Sequence, residues 1–371
     1  MVTAEGDNGM QGRWKLFAAI LGVLFLSTGL YARGLFLLKQ EAQRVDNPDI
    51  QDDDEVTIVK PADHFQQGQY QNVIVDSKGD MGLVNGQDQG SFTSPVLPAN
   101  DYNGLMFAFK GQKAEGLIKL FIQCFVDGMA SGWQEVQRED DLLLSSSANG
   151  FQYRIQFQRG ATNGPSPTIS NLSMATSNYT NGYQNPQSWT GNQTLTGGHG
   201  LNKPPVITRA QWGARPPNGS FSTNFNPRKI VIHHTAGSKG GASTVKAIQG
   251  YHQNTCNWTD IGYHFLVNHE GKVYEGRPEN VKGAHVAGAN SYCLGISAMG
   301  HYSKYQCDRP CWDSIVRLAA YACSKYRIHP SNITGHQDMA NKDCPGRNIY
   351  SRMDELRQAV SQLLQQNGVT D

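Results

Sequence analysis

The spacing of apolar residues changes along this 371-residue chain, and that change limits the folds that it can adopt. In FQYRIQFQ, residues 151–158, apolar and polar side chains alternate, which predicts a strand with one buried face. Residues 105–109 and 117–126 are also strand-like runs, and no helical period competes with them. After residue 205, short apolar strands alternate with helical patterns, which predicts an α/β domain. The sequence therefore predicts two regions of different construction.

A polar stretch rich in Asn, Gly, Gln and Thr separates the two regions. It has no apolar periodicity, so we interpret it as a flexible linker between two separate cores. The predicted fold class is α/β in the C-terminal domain, preceded by an all-β sandwich and an N-terminal hydrophobic helix. The predicted segments are a short tail (1–15), a signal anchor or transmembrane helix (16–38), an acidic stalk (39–84), a β-sandwich module (85–176), the flexible linker (177–204) and the C-terminal domain (205–371).

The N-terminal apolar run predicts export of the chain. Residues 16–32 carry no charge, and at about 1.5 Å per residue a helix of this length spans roughly 26 Å, close to the ~30 Å core of a bilayer. A cleaved signal peptide is the alternative, but its apolar core would exceed the usual length of about 7–15 residues. We therefore expect a membrane anchor and a cell-surface protein, or a secreted one if the segment is cleaved.

The balance of charges excludes some partners. The chain has 32 Lys and Arg against 31 Asp and Glu, a net charge of +1, so no overall field attracts it to nucleic acid. Charged residues make up 17% of the chain, below the ~25% of average domains, and glycine is frequent, with 40 residues; this combination favours β-structure with many turns. We expect a monomer without a nucleic-acid partner.

Histidine and cysteine are concentrated in the C-terminal half. Nine of the 11 histidines lie between His233 and His336, and Cys344 follows in a loop. Two histidines and a cysteine suit zinc, and three protein ligands leave the fourth position for water. Spacing alone leaves two alternatives open: a disulfide at Cys344, because exported cysteines tend to pair, or ordinary surface histidines.

Six motifs in this half together resemble one family, the peptidoglycan recognition proteins and type-2 N-acetylmuramoyl-L-alanine amidases, which include phage lysozyme-type amidases. The resemblance extends over residues 207–360. It implies a central mixed β-sheet flanked by helices, with zinc at the floor of a groove. The motifs are ITRAQWGA (207–214), IVIHHTAG (230–237), WTDIGYHFLVNHEGKVYEGRP (258–278), VKGAHVAGAN (281–290), LGISAMG (294–300) and ITGHQDMANKDCPG (333–346).

The resemblance implies that His233, His336 and Cys344 are the zinc ligands. Neighbouring residues of a strand point to opposite faces, so only one of His233 and His234 can reach the metal. The family motif selects His233. His234 then packs beside the site or contacts the ligands.

Further residues take roles from the same resemblance. Tyr263 falls on the family's catalytic tyrosine and Lys342 on the lysine of the phage enzymes; read alone, they would be a core aromatic and a solvated loop charge. His285 and Asn290 are expected to line the substrate groove, and we group His234 with them. The alternative for His285 is a hydrogen-bonded structural histidine.

The implied function is zinc-dependent hydrolysis of the lactyl-amide bond between N-acetylmuramic acid and L-Ala, with peptidoglycan and muropeptides as partners. The alternative is a non-catalytic receptor that binds peptidoglycan in the same groove. Receptor-type members typically lose the cysteine, which this chain retains as Cys344. The middle region, including FQYRIQFQRG, resembles the β-sandwich module that precedes the catalytic domain of some secreted bacterial amidases.

Overall fold

The fold is given by a computed structural model. The residues that it describes are 56–59, 67–112, 118–160, 166–178, 195, 200–340 and 342–369. The chain divides into two units, Met1–Val45 and Asp46–Asp371, and every described residue belongs to the second. The predicted tail and the predicted anchor at 16–38 lie outside the described residues. Within those residues, no helix combines the length and the apolar character needed to cross a bilayer.

Eleven strands, all paired antiparallel, form one hydrogen-bonded network in the described part of the N-terminal half. Of the two longest strands, β6 pairs with two neighbours and β10 with three. The strands are β1 (Val56–Val59), β2 (Gln69–Gln71), β3 (Val73–Val75), β4 (Met81–Leu83), β5 (Gln89–Thr93), β6 (Leu97–Gln112), β7 (Ile118–Val126), β8 (Met129–Ala130), β9 (Gln134–Val136), β10 (Asp141–Gln158) and β11 (Thr168–Ser177). We call residues 56–177 the β-module.

The alternation of β10 explains how the β-module forms its core. Tyr153 and Ile155 are fully buried, whereas Gln156 and Gln158 on the opposite face are exposed. The strand predicted at 151–158 is therefore confirmed, within a longer strand. Strands β1 to β4 lie inside the stretch 39–84 that was predicted as a stalk. The sequence did not reveal them, because strands of three or four residues display too little periodicity to recognise. The division into two packed sheets, a sandwich, stays a prediction.

The C-terminal half contains a six-stranded mixed sheet in the order β12–β15–β14–β16–β13–β17. Only the β14–β15 pair is antiparallel. The sequence NHEG (268–271) predicts a β-hairpin here, and Gly271 in its turn has φ +79°, a backbone conformation that residues with a Cβ rarely adopt. The mixed α/β fold is confirmed. The strands are β12 (Val206–Ile207), β13 (Lys229–His234), β14 (Phe265–Val267), β15 (Val273–Glu275), β16 (Cys293–Ala298) and β17 (Ile333–Gly335).

Helices cover the two faces of this sheet. Ile230 and Ile232 of β13 share one core with α3 and α5, whereas Val231, with the opposite orientation, packs in a different cluster. Leu266 of β14 packs with α2 on that second face. His233 has the parity of Val231 and so belongs to the second face. The helices are α1 (Arg209–Trp212), α2 (Ala242–Asn254), α3 (Arg309–Tyr326), α4 (Arg347–Tyr350) and α5 (Met353–Gln366).

Two helix starts differ from the sequence pattern. The sequence predicts a helix over residues 243–253 with Ser243 or Thr244 as its N-cap, but helix α2 begins at Ala242 after Gly241, so this N-cap prediction is wrong. The sequence predicts a second helix over residues 313–326, but helix α3 begins four residues earlier, at Arg309. Pro310 is tolerated in the first turn, because the N–H that it lacks would have no intrahelical acceptor there.

The β-module contacts the C-terminal domain on the side of the second sheet face. Met106 of β6 and Ala175 of β11 pack in one buried cluster with Trp258 and Ala284. The two regions are thus in contact, although the boundaries predicted at 177–204 stay a prediction. None of the seven cysteines forms a disulfide, so the disulfide alternative for Cys344 is wrong in this structure.

Candidate metal centre

Two parallel strands bring the histidines together. In β13 and β17, Ile232 lies opposite Gly335, so the next residues, His233 and His336, leave the same edge of the sheet side by side. Their ring centroids are 4.5 Å apart. Both residues are buried, with 0% and 1% of their surface exposed. The carboxyl ends of parallel strands meet at one sheet edge, which is why residues so distant in sequence become neighbours.

The loop after β17 returns Cys344 to the same edge. The amide of Gln337 donates to the Cys344 carbonyl at 2.6 Å. Gly346 has φ +82°, and a Cβ there would lie 2.5 Å from the Tyr302 backbone, so only glycine fits. This tight turn places Cys344 Sγ 3.6 Å from His233 Nδ1.

The three predicted ligands form a donor set that fits zinc. One donor atom from each of His233, His336 and Cys344 lies within 4.8 Å of the others, and this is the only such group among the described residues. Zn–N bonds of about 2.0–2.1 Å and a Zn–S bond of about 2.3 Å place tetrahedral ligand atoms roughly 3.3–3.8 Å apart. The 3.6 Å between Nδ1 and Sγ lies within that range. Their role as zinc ligands is a proposal, developed below.

His285 fixes the orientation and the tautomer of His233. Its Nε2 lies 3.1 Å from the Cys293 carbonyl oxygen, which can only accept, so Nε2 carries the proton. Its Nδ1 is then an acceptor and takes a hydrogen bond at 3.0 Å from His233 Nε2–H. His233 Nδ1 is left unprotonated, with its lone pair on the side of Cys344. A hydrogen bond of this kind orients metal-binding histidines in many proteins.

The ring of His285 lies between two glycines. A Cβ at Gly295 of β16 would be 2.8 Å from three ring atoms, and a Cβ at Gly283 would approach to 2.5 Å. Only glycine at both positions leaves space for the imidazole. His285 therefore has the hydrogen-bonded position that was the alternative to groove lining, and its predicted contact with substrate stays a prediction.

Burial keeps the histidines neutral. Burial first, and then the neighbouring His336, lower the pKa of His233 well below its usual value. Burial and the positive charge of Lys342 lower the pKa of His336 in the same direction. Burial and His233 lower the pKa of His285. Neutral imidazole is the form that binds a metal, so His233 and His336 are suited to this role at neutral pH.

The two predicted catalytic residues lie beside the histidine cluster. Tyr263 is 1% exposed, and its ring centroid is 5.2 Å from that of His233. Lys342 is half-buried and lines a small cavity together with His285 and Trp258. The structure thus places both residues near the candidate ligands, while their catalytic roles stay predictions.

The other two predicted groove residues lie inside the protein. His234 is fully buried, and its Nδ1 accepts a hydrogen bond from the Tyr302 amide at 3.2 Å. Asn290 is also fully buried, and its Oδ1 accepts from the amides of His285 and Val286. Neither side chain is exposed in this conformation, so their predicted roles in substrate binding stay predictions.

Sequence reasoning missed two acidic residues of the β-module. Glu139 forms a buried ion pair with Arg277, and Asp141 accepts a hydrogen bond from Asn290 Nδ2 at 2.9 Å. Both residues belong to the run Glu139–Asp140–Asp141, which resembles an ordinary solvated acidic turn. No sequence signal distinguishes them from Asp140.

The sheet and the cluster of two histidines and a cysteine together define an amidase-type domain. A family model described as N-acetylmuramoyl-L-alanine amidase matches residues 223–347, which include all three candidate ligands.

Comparison with known proteins gives the family. Peptidoglycan-recognition protein SC2 of Drosophila simulans is 36% identical over 154 residues, which are 40% of this chain and 84% of that protein. Peptidoglycan recognition protein 3 of Homo sapiens is 33% identical over 154 residues, covering 40% of this chain and 45% of that protein. The chain belongs to the family of peptidoglycan-recognition proteins and type-2 amidases. The solved structure of the amidase LysCS of Clostridium intestinale has 29% identity and a TM-score of 0.38, covering 42% of this chain and 97% of that one.

Proposed function

We propose that the chain is a zinc-dependent N-acetylmuramoyl-L-alanine amidase that hydrolyses the amide bond between N-acetylmuramic acid and L-Ala of peptidoglycan. The observation that carries the proposal is the complete donor set: two neutral histidines and a cysteine whose donor atoms lie within 4.8 Å of one another. Three protein ligands are typical of a catalytic zinc, whereas a structural zinc usually has four.

His233, His336 and Cys344 would hold the zinc, and His285 would keep His233 in the tautomer that presents Nδ1. Bound there, zinc would lower the pKa of water to about 7 and polarise the carbonyl of the amide. The chain's contribution is to hold the three donors rigidly on strand ends and a tight loop.

Tyr263 and Lys342 are the residues that we assign to the reacting carbonyl. A phenol and an ammonium group can each donate to the negative charge that develops on the carbonyl oxygen as it becomes tetrahedral. The position of Tyr263 beside His233 supports this role, as does the charge of Lys342, which lowers the pKa of His336 after burial.

A non-catalytic peptidoglycan receptor is the second candidate. It is favoured by the names of the relatives, since both proteins named above, from Drosophila simulans and Homo sapiens, are recognition proteins. Such a receptor would bind muropeptides without releasing stem peptides. The complete donor set favours the amidase.

We also propose that the protein acts outside the cell, either held by an anchor at 16–38 or secreted. Peptidoglycan lies outside the cytoplasmic membrane, so an amidase of this specificity needs export. We propose that the β-module is a sandwich of the kind found ahead of secreted amidases.

The test combines metal content with product release. The purified full chain should contain about one zinc, as a three-ligand site implies, and should release peptides with a free L-Ala amino terminus from isolated peptidoglycan. Cys344→Ala should lose both properties. A zinc-loaded protein that binds muropeptides but releases no peptide would support the receptor instead.

A further inference from the structure

The candidate metal centre is closed in this structure. His233, His336, Cys344 and Tyr263 are 0%, 1%, 3% and 1% exposed. A catalytic zinc keeps one position open to water and substrate, and the proposed substrate is a polymer. Something must therefore move before a glycan strand with its stem peptide can reach these residues.

The β-module lies beside the candidate metal centre. The small cavity beside His285 and Lys342 is also lined by Met106 of β6 and by Ala175, Thr176 and Ser177 of β11. Ala175, Thr176 and Ser177 are consecutive on β11, and Met106 lies opposite Ala175 on the paired strand β6. We call them the capping face.

Apolar contacts continue around the centre. Met106 and Ala175 pack with Trp258 and Ala287 in one buried cluster. Leu143, at the start of β10, packs against a cluster that includes Val286 and Met339, and Met339 lies three residues after His336. The β-module thus contacts the C-terminal domain at two places near the candidate ligands, beside Ala287 and beside Met339.

Glu139 is the first polar attachment of the capping face. Both of its carboxylate oxygens accept from the Arg277 guanidinium, at 2.9 and 3.1 Å, and the Thr259 amide donates to Oε1 at 2.6 Å. Lys282 Nζ donates to the Glu139 carbonyl oxygen at 2.5 Å. Glu139 has φ +59°, a conformation that is rare in residues other than glycine and that these contacts maintain.

Asp141 is the second polar attachment. Its carboxylate accepts from the amides of Gly288 and Ser291, at 3.2 and 3.0 Å, and from Asn290 Nδ2 and Ser291 Oγ. All of these donors follow His285 in the segment 285–291. We call Glu139 and Asp141 the acidic latch.

We propose that the β-module is an intramolecular cap: the acidic latch holds the capping face over the amidase groove, and substrate is admitted only when the two separate. This inference rests on the proposed function, whose groove it closes. Opening would also release the donors that Asp141 occupies, so that the segment 285–291, including Asn290, becomes available to a carboxylate or carbonyl of the substrate.

The composition of the contact suits a reversible cap. Its ends are held by ion pairs and hydrogen bonds, and such buried polar pairs specify one arrangement while contributing little net stability compared with apolar contacts. Contacts between domains of one chain commonly permit relative motion unless they are large and apolar.

The test uses three variants of the full chain. Glu139→Gln and Asp141→Asn each weaken one half of the latch, and Asp140→Asn is the matched control because Asp140 accepts from the Gln137 amide within its own turn. In each variant, hydrogen exchange is measured at the amides bound by the latch residue that was left unchanged. These are the amides of Gly288 and Ser291, bound by Asp141, in Glu139→Gln, and the amide of Thr259, bound by Glu139, in Asp141→Asn. Amides of α3 report whether the fold is intact.

We expect exchange at these amides to rise by about tenfold or more, the scale of one lost charge-assisted hydrogen bond. Release of stem peptides and retention on insoluble peptidoglycan should rise with it, while Asp140→Asn behaves as the unaltered chain. Asp141→Asn is the milder change, since asparagine keeps an acceptor and Arg277 keeps its partner, so it tests the proposal if Glu139→Gln unfolds.

Two results would overturn the cap. One is unchanged exchange in both latch variants with an intact α3. The other is faster exchange without any gain in cleavage or retention. If no variant cleaves but the latch variants bind peptidoglycan more strongly, the cap is supported and the amidase function is refuted.

Discussion

Replacing His285 tests whether zinc affinity depends on the residue behind His233. His285→Phe keeps an aromatic ring of similar size but removes both the acceptor for His233 Nε2–H, at 3.0 Å, and the donor to the Cys293 carbonyl, at 3.1 Å. His285→Gln is the matched control, because its amide retains one acceptor and one donor.

The expected loss follows from the burial of His233. With 0% of its surface exposed, it has no access to water that could replace the lost acceptor. A buried donor without a partner costs about 1–3 kcal/mol. Loss of such an outer hydrogen bond lowers metal affinity by about 10–100-fold, which corresponds to about 1.4–2.8 kcal/mol. Gly295→Ala should give a similar loss, because its Cβ would lie 2.8 Å from the His285 ring.

Competition with a chromogenic chelator gives the zinc dissociation constant, and thermal unfolding of the zinc-free protein gives the structural cost separately. We expect His285→Phe to bind zinc about 10–100-fold more weakly and His285→Gln to retain most of the affinity. Wild-type affinity in His285→Phe, or an equal loss in both variants, would refute the orienting role.

Three further outcomes are expected. Cys344→Ala should lose zinc and all release of stem peptides, as measured by metal analysis and product assay, because two ligands do not hold a catalytic zinc. Tyr263→Phe and Lys342→Ala should retain zinc and KM but lower kcat by about 10²–10³-fold, since each removes a donor to charge that develops only in the transition state; a raised KM with unchanged kcat would contradict this. Burial opposes ionisation of Glu139, but Arg277 outweighs it and lowers the pKa of that carboxyl. The stability that its charge contributes is therefore complete above an unfolded pKa of about 4.3 and is lost as pH falls through the lower folded pKa, so the difference in unfolding free energy between the unaltered chain and Glu139→Gln should shrink below about pH 4.

The fold was predictable where an element is long enough to display its period. The apolar run KIVIHH (229–234) predicts a short strand, and β13 has these bounds. The alternation of FQYRIQFQ predicted the buried face of β10. The candidate metal ligands could not be grouped from sequence spacing. His233 and His336 are far apart in sequence, and only the family motifs joined them, because the pairing of β13 with β17 is a property of the folded sheet.

The position of the β-module could not be predicted from local pattern. Glu139 and Asp141 lie in a short acidic turn, and such turns are usually solvated. Their partners, Arg277 and the amides of Gly288 and Ser291, belong to another region of the chain. A polar linker indicates only that two cores are connected, and whether they dock depends on complementary donors and acceptors that become adjacent after folding.

The cap changes how the enzyme and receptor hypotheses must be compared. In the closed structure the candidate ligands are nearly inaccessible, so the unaltered chain would cleave slowly even with a competent donor set. Low activity of that chain therefore depends on two quantities, the equilibrium between the capped and open states and the rate of amide hydrolysis in the open state. Loss of Cys344 and loosening of the acidic latch act on these two quantities independently. Asp141→Asn and the double variant with Cys344→Ala should open alike, and only the first should release stem peptides if the cluster is catalytic. Equal binding without release in both would instead identify a receptor.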